Sequence, residues 1–479
     1  MTKEKKEGKT GKESKNKKLS EKLFLKKESG WNSLKDPDKK ALFAYCDGYM
    51  DFLAKCKTER EVLVYAESLL KKSGFKAIES VSSLKPGDKI YMISKNKNVA
   101  VARIGKDVSK DELTLNIVGA HIDSPRLDLK PYPMFEDSNL ALLKSHYYGG
   151  IKKYQWVSRN LAIHGVISTK DGKSVEIRIG DNEGDPVFMI PDLLPHLAKE
   201  QMKRDASKIV TGEELNLIVG HIPVDDKDIS EKVKFEVLRY LNEKYGITEH
   251  DLITSEIEIV PSEMPRDVGF DRSMISAYGQ DDRVCAYAGL KAIIEADAKS
   301  NTSVLMLFDK EEIGSEGNTG AKSRFTELFV EKILKLSKDK STLNEVFHRS
   351  RVLSSDVTAG ADPTFKDVND PANCSYLGHG VSVEKYGGGG GKYSTNDASS
   401  EYMRYVVDLF DSNNVKWQTG ELGRIDLGGG GTIAMYLAEK GCDVIDVGPC
   451  VLGMHSPAEL TSKFDVYQSF LGYKAFLSR

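Results

Sequence analysis

Acidic residues gather directly after a short apolar run in the middle of the chain. Val304 to Phe308 is continuously apolar, and Asp309, Glu311 and Glu312 follow it. Such a run predicts a strand buried on both faces, and ligands of open α/β sheets bind just beyond the carboxyl ends of strands. At that place Glu312 can coordinate a metal ion while Glu311 accepts a proton from a water. Adjacent acidic pairs also arise by chance in a chain with 72 acidic residues, so further ligands are needed.

A second candidate ligand follows a second predicted strand. Leu113 to Ala120 is strand-like and ends at His121, with Asp123 two residues later. Asp123 is placed to accept a hydrogen bond from the other ring nitrogen, as partners of metal-bound histidines do. The alternative is a histidine that is simply packed and satisfied in the core.

Three more candidates begin or end predicted elements. Asp281 opens an apolar helix that runs to Ala296, although acids in a first turn also suit the helix dipole. The strand-like residues 351–356 end in Asp356, and His455 follows the predicted strand 442–448. Each of these positions can deliver a side chain to the same sheet edge.

The candidate ligands combine two imidazoles with three carboxylates: His121, Asp281, Glu312, Asp356 and His455. This donor set suits zinc, with manganese or cobalt as alternatives, and it excludes a thiolate site. Two divalent ions per subunit would balance the three carboxylates and leave one positive charge. Glu311 then remains as the natural general base.

Composition limits the protein class. A length of 479 residues predicts more than one domain, and a net charge of -3 argues against nucleic acid or an anionic membrane as partner. No apolar run reaches membrane-spanning length, and the N-terminal lysines are not followed by the apolar region of a signal peptide. The six cysteines form no Cys-x-x-Cys pair, which predicts neither disulfides nor a thiolate zinc site but a reducing cytoplasm.

The chain divides into a tail, a catalytic unit and an insertion. Residues 1–19 are Lys-rich with little to bury, which predicts disorder. Residues 20–131 and 262–479 carry every candidate ligand and form the predicted catalytic unit. Residues 132–261 alternate short β-type runs with polar turns and form the predicted insertion.

Within the insertion, residues 161–167 and 175–179 predict strands, and one helical stretch is expected near His196. Tyr148-Gly149-Gly150 and Trp156 are expected at the surface where the insertion contacts the catalytic unit. In the catalytic unit, Thr58 and Glu61 predict a capping box within a helical region.

Two glycine runs remain, at 387–391 and 428–431. Neither is followed by Lys-Ser or Lys-Thr, so neither is a phosphate-binding loop. The second run leads into a predicted helix, so Gly429 can allow close backbone approach to a substrate. A plain tight turn explains the same residues equally well.

The sequence resembles the M18 family of metallo-aminopeptidases, relatives of aspartyl aminopeptidase and vacuolar aminopeptidase I. The motifs that carry the resemblance occur in family order and cover the chain from about residue 40 to its end. They are Gly119-Ala120-His121-Ile122-Asp123-Ser124-Pro125, Asp281-Asp282, Asp309-Lys310-Glu311-Glu312-Ile313-Gly314-Ser315, Ser355-Asp356 and Met454-His455-Ser456-Pro457. Where other members have a single Asp followed by a different residue, this chain has two, and the first matches the ligand position.

The resemblance implies a role for each matching position: His121 and Asp356 hold one ion, Glu312 and His455 hold the other, Asp281 bridges them, Glu311 is the base and Asp123 orients His121. It implies an α/β/α sandwich interrupted by a β-rich dimerisation domain. It also implies a homo-oligomer, a hollow tetrahedral dodecamer built from dimers.

The resemblance also implies substrate contacts. Residues 190–197 are similar to a stretch whose His, here His196, reaches a neighbouring subunit's site, although Asp192 stands where relatives can have a first His. In residues 378–386, which include His379, Glu384 aligns with a lysine of the aspartyl-specific branch. We therefore expect an aminopeptidase that prefers neutral N-terminal residues. A register shift that places Lys385 there would restore an aspartyl preference.

Two rival functions use the same residues. A deacylase or carboxypeptidase on the same core would act on N-blocked substrates. A shell protein without metal would keep the fold and lose the activity.

Overall fold

The computed structural model describes residues 15–25 and 27–479. The α-helices of this described part are α1 Lys15–Leu23, α2 Asp36–Lys55, α3 Glu59–Lys72, α4 Lys232–Tyr245, α5 Glu249–Leu252, α6 Gln280–Glu295, α7 Phe325–Ser337, α8 Leu343–Arg349, α9 Ser400–Ser412, α10 Ala434–Ala438 and α11 Lys463–Leu477. Its β-strands are β1 Lys76–Ala77, β2 Lys89–Ser94, β3 Asn98–Arg103, β4 Leu115–His121, β5 Arg126–Asp137, β6 Leu140–Tyr148, β7 Leu161–Ser168, β8 Ser174–Ile179, β9 Asn216–Gly220, β10 Ser255–Pro261, β11 Arg266–Val268, β12 Met274–Ala277, β13 Thr302–Phe308, β14 Arg351–Ser354, β15 Thr358–Ala359, β16 Val381–Glu384, β17 Trp417–Thr419, β18 Asp443–Gly448, β19 Cys450–Leu452 and β20 Glu459–Ser462.

The largest sheet has nine strands in the order β1-β2-β3-β13-β4-β14-β18-β16-β17. Strands β13, β4, β14 and β18 are neighbours in its centre and run parallel to one another. Strand β3 pairs antiparallel with β13 on one side, and β16 pairs antiparallel with β18 on the other. Parallel neighbours need crossover connections, and here helices supply them.

Apolar side chains of β13 alternate between two cores on opposite faces of this sheet. Leu305 and Leu307 belong to a core that includes side chains of α2, α3, α6, α9 and α11. Val304, Met306 and Phe308 belong to a second core, which includes side chains of α7, α8 and α10. The predicted burial on both faces is confirmed, and the chain has an α/β fold.

A second sheet has six strands in the order β8-β7-β10-β5-β6-β9 and is built from residues 126–261. Strands β7 and β8 lie where residues 161–167 and 175–179 predict them. The sheet begins at Arg126, so the predicted start of the insertion at residue 132 falls inside β5. Only residues 122–125 separate β4 from β5, so the chain passes from the first sheet to the second without a long linker.

The helix predicted near His196 is wrong. Residues 195–197 form a turn, because Pro191 and Pro195 each lack the amide that a helix interior requires. The long helix of this part of the chain is α4, where Val233, Val237 and Leu241 recur at helical spacing on the side that meets the sheet. The four-residue spacing of these apolar residues can be read from the sequence and would have predicted α4.

Residues 1–14 of the predicted tail, residues 1–19, lie outside the described residues. Residues 15–19 are the beginning of α1, where disorder was predicted. Lysine, leucine and glutamate are good helix formers, and α1 forms although it buries none of its side chains. Within the described residues, no helix is long and apolar enough to cross a membrane.

Candidate active site

Three neighbouring parallel strands deliver candidate residues to one edge of the nine-stranded sheet. Strand β4 ends at His121, which is level with Phe308, the last residue of β13. Glu311 and Glu312 follow β13 in a short 3-10 turn, and Asp356 follows the end of β14 by two residues. The shared strand direction therefore brings together side chains that lie up to 235 positions apart in the sequence.

A third sheet holds the other two candidates. It has five strands in the order β11-β12-β20-β19-β15. Asp281 lies at the start of α6, shortly after β12, and His455 lies in the connection between β19 and β20. Ala277 of β12 pairs with Glu459 of β20, which fixes the two segments side by side.

Asp281 lies between the two histidines, with one carboxylate oxygen toward each. Its Oδ1 is 3.1 Å from Nε2 of His121, and its Oδ2 is 3.2 Å from Nε2 of His455. Oδ1 of Asp356 is 3.7 Å from Nε2 of His121, and Oε2 of Glu312 is 3.4 Å from Nε2 of His455. The arrangement contains two overlapping groups of donors that share one carboxylate.

Each of these groups has the composition of a metal site. His121, Asp281 and Asp356 form one, Asp281, Glu312 and His455 form the other, and the donor atoms within each lie within 4.8 Å of one another. His121, Glu311 and Glu312 also satisfy that distance. Oε1 of Glu312 is buried without a hydrogen-bond partner, which is costly unless a cation occupies the space beside it. The residues therefore fit a pair of divalent cations.

The histidines present the correct nitrogen for metal binding. Nδ1 of His121 lies 3.0 Å from the backbone oxygen of Asp123, and Nδ1 of His455 lies 3.0 Å from that of Gly150. A carbonyl oxygen only accepts, so each Nδ1 must carry the hydrogen. Each Nε2 then offers its lone pair toward Asp281 when the ring is neutral.

Negative charge accumulates in this buried place. Burial, with the neighbouring Asp281 carboxylate, raises the pKa of Glu312. Burial also raises the pKa of Glu311 to about 8. Neighbouring carboxyl groups that repel one another are difficult to ionise at the same time. Cations bound among them stabilise the ionised carboxylates.

Asp123 connects His121 to the loop that carries the glutamates. Its Oδ1 lies 3.3 Å from Nδ1 of His121, so the predicted orienting contact is present. The same carboxylate accepts the backbone amides of Glu311 at 3.1 Å and Glu312 at 3.2 Å. This buried side chain fixes one histidine and two glutamates with respect to one another.

Two residues support the centre through contacts that the sequence did not predict. Glu459 accepts the amide of His455 at 2.9 Å and that of Asp281 at 3.0 Å, one on each carboxylate oxygen. Tyr148 donates its hydroxyl hydrogen to Asp123 at 2.8 Å. The only sequence signal for Glu459 is its position four residues after His455. Tyr148 was expected where the insertion contacts the catalytic unit, and it does contact Asp123 there, but no sequence pattern indicated that its partner would be a residue of the site.

The predicted substrate residues are not all brought together. Glu384 is buried at the end of β16 beside Asp446, and burial raises the pKa of Glu384 to about 8. Lys385 extends instead to Asp397, at 3.4 Å. His379 lies at the opposite end of β16 from Glu384, with its ring 5.6 Å from that of Tyr376.

In the part of the chain that the structure describes, no contact is seen between Gly429 or His196 and the candidate metal ligands. Gly429 has a φ of +114°, and a Cβ there would lie 1.9 Å from the backbone oxygen of Gly388. The close backbone approach is therefore between the two glycine runs. His196 is exposed, and within the described residues no hydrogen bond or ion pair joins it to the centre.

Comparison with known proteins identifies the family. Residues 52–477 match the family described as Aminopeptidase I zinc metalloprotease (M18). The chain is 47% identical over 458 residues to a probable M18 family aminopeptidase 1 of Borrelia garinii subsp. bavariensis, covering 94% of this chain and 99% of the relative.

Solved structures agree with that match. The M18 family aminopeptidase of Thermotoga maritima has a TM-score of 0.91 at 46% identity, covering 95% of this chain and 100% of that one. Aminopeptidase I of Clostridium acetobutylicum has a TM-score of 0.89 at 44% identity, with coverage of 95% and 100%. With the fold, the donor set and the family match in agreement, this chain belongs to the M18 family and is a zinc metalloprotease of the aminopeptidase class.

Proposed function

We propose that the chain hydrolyses the N-terminal peptide bond of peptides at a centre that binds two divalent metal ions per subunit, with zinc expected and manganese or cobalt as alternatives. The observation that carries the proposal is the position of Asp281, whose two oxygens face two different histidines. A carboxylate shared between two groups of donors suits a centre that holds two ions close together. His121 and Asp356 would hold one ion, and Glu312 and His455 the other.

Glu311 is the proposed general base. When bound, the ions would polarise the substrate carbonyl and make a water a stronger acid. The Glu311 carboxylate accepts the proton of the attacking water and then donates it to the leaving amine. Asp123 supports this step because it holds the amide of Glu311 and thereby the position of the side chain.

The proposed architecture assigns catalysis to the nine-stranded sheet and its helices, an α/β/α sandwich. The six-stranded sheet is the proposed β-rich dimerisation domain, and dimers of this kind would build a homo-oligomer, the tetrahedral dodecamer that the family resemblance implies. Exposed apolar side chains at Leu193, Leu194 and Leu197 support an interface there. All six cysteines are free and buried, in accord with the cytoplasmic location that their pattern predicts.

A preference for neutral N-terminal residues is part of the proposal. The pairing of Lys385 with Asp397 supports Glu384 as the residue nearer the centre. Because burial keeps much of Glu384 protonated near neutral pH, we expect weaker repulsion of acidic substrates than a full negative charge would give.

The proposal is tested with one panel of peptides. Matched leucyl, lysyl and aspartyl peptides are assayed with free and with acetylated N-termini, before and after removal of metal by a chelator. We expect release of the first residue from free peptides only, loss of activity with the metal and recovery when zinc is added. Cleavage of acetylated peptides would favour a deacylase or carboxypeptidase, and a chain without metal or activity would favour the shell protein. Aspartyl peptides as the best substrates would contradict the proposed specificity.

A further inference from the structure

The segment Tyr148–Gly150, the 148–150 segment, leaves the end of β6 in the six-stranded sheet and runs along the candidate centre. We propose that this segment positions both halves of the metal centre, with Tyr148 as a positioning residue that acts through Asp123. The inference rests on the proposed function. It assigns to the six-stranded sheet a direct role in the active site of its own chain.

Tyr148 acts, through Asp123, on His121 and on the loop that carries the two glutamates. Its hydroxyl donates to Oδ2 of Asp123 at 2.8 Å, and the same oxygen accepts the amide of Glu312 at 3.2 Å. Asp123 also contacts His121. A buried carboxylate that receives this many donors is fixed in one orientation, so loss of one donor loosens every group it holds.

The ring of Tyr148 is itself held in place. The guanidinium of Arg126 lies 3.9 Å from the ring centroid, which is within cation–π distance. Arg126 is buried and pairs with Glu258 at 3.2 Å and Glu59 at 3.7 Å. The hydroxyl therefore approaches Asp123 from a rigid support.

The two glycines contact the half of the centre that contains Glu312 and His455. The backbone oxygen of Gly150 accepts from Nδ1 of His455 at 3.0 Å, which leaves Nε2 free to face Asp281. Gly149 has a φ of +73°, and a Cβ there would lie 3.4 Å from Cβ of Glu312. Glycine at this position lets the backbone lie against the glutamate that is proposed to bind metal.

The test is the variant Tyr148→Phe in the full-length chain. It removes the hydroxyl and retains the ring that stacks on Arg126. The matched control is Tyr91→Phe, because Tyr91 is a buried tyrosine on β2 that donates to a carboxylate, Glu67, at 2.9 Å. Zinc affinity is measured by competition with a chelating dye, and thermal unfolding of the metal-free proteins reports on the fold.

Loss of a partner that orients metal ligands typically weakens binding about 10–100-fold. We expect Tyr148→Phe to bind zinc about 10–100-fold more weakly, with a metal-free unfolding midpoint similar to that of Tyr91→Phe. Zinc affinity within about twofold of wild type, or an equal loss in Tyr91→Phe, overturns the inference. A wild-type chain that binds no zinc overturns the proposed function as well, whereas normal wild-type binding with an unaffected variant overturns this inference alone.

Discussion

Glu459 holds two residues of the proposed centre by their backbones. One carboxylate oxygen accepts from His455 and the other from Asp281. The side chain is almost fully buried, so water cannot replace either bond. Asp465 offers a matched comparison, because it is equally buried and accepts two amides, from Gly378 and Gly380, away from the candidate metal ligands.

We predict that Glu459→Gln weakens zinc binding about 10–100-fold. The amide nitrogen of glutamine cannot accept a hydrogen bond, so one buried backbone amide loses its partner at a cost of about 1–3 kcal/mol. Asp465→Asn should lose similar stability and keep normal zinc affinity. Thermal unfolding and dye competition measure the two effects. Normal zinc affinity in Glu459→Gln would show that Glu459 serves stability alone.

At the residue scale, the sequence predicts the candidate metal ligands better than it predicts the side chains that hold those ligands in position. His121, Glu312 and Asp356 follow apolar runs, so their place at a strand end can be read from the chain. Glu459 and Tyr148 act through contacts between separate segments, and no local pattern records such contacts. For the same reason, the sequence could not predict what lies close to Gly429, because its neighbour Gly388 comes from a distant loop.

At the element scale, His164 joins the start of α3 to the six-stranded sheet. Its Nδ1 is 2.9 Å from Oε1 of Glu61, and its Nε2 is 2.9 Å from Oδ2 of Asp181. Lys57 and Arg178 also pair with Asp181, at 2.6 and 3.0 Å. Burial opposes a charged ring, but the two carboxylates more than offset it and raise the pKa of His164.

We predict that His164 stabilises the protein most at low pH. A raised pKa in the folded state gives stability that is fully present below the unfolded value of about 6.5 and is lost as the pH rises through the folded value. The difference in unfolding midpoint between wild type and His164→Gln should therefore be largest below about pH 6.5 and shrink above it. His348→Gln, at an exposed position, serves as control. A difference that stays constant or grows with pH would contradict the prediction.

Helices and strands were predicted correctly where the residues that determine them are neighbours in the sequence. The capping box of Thr58 and Glu61 is present at the start of α3, and the apolar runs before His121 and Asp356 are strands. It failed near His196, where two prolines outweigh the surrounding leucines. Glu61 also makes a contact that the sequence could not predict, because this capping residue pairs with His164 of the six-stranded sheet.

At the scale of the whole molecule, His196 lies on an exposed turn that also exposes Leu193 and Leu197. An exposed apolar surface of this kind favours association. If the proposed interface brings His196 into a neighbouring site, the side chain would act only in the assembled protein.

We predict that His196→Ala assembles and binds zinc normally but has a kcat lower by about 10²-fold, the cost of losing one donor to the developing charge. The matched control is His221→Ala, an exposed histidine directly after β9. Size-exclusion chromatography with light scattering, run beside the peptide assay, separates assembly from turnover. A fully active monomer, or an unaffected His196→Ala, would contradict the role.

The metal content of the purified chain tests the two-ion centre most directly. Elemental mass spectrometry is applied to wild type, Glu311→Gln and Asp281→Asn. We predict two zinc ions per chain in wild type and in Glu311→Gln, with kcat about 10²–10⁴-fold lower in the latter because only the base is lost. Asp281→Asn should lose metal, since it removes charge from the shared carboxylate. One ion per chain in a fully active wild type, or two ions retained by Asp281→Asn, would contradict the account.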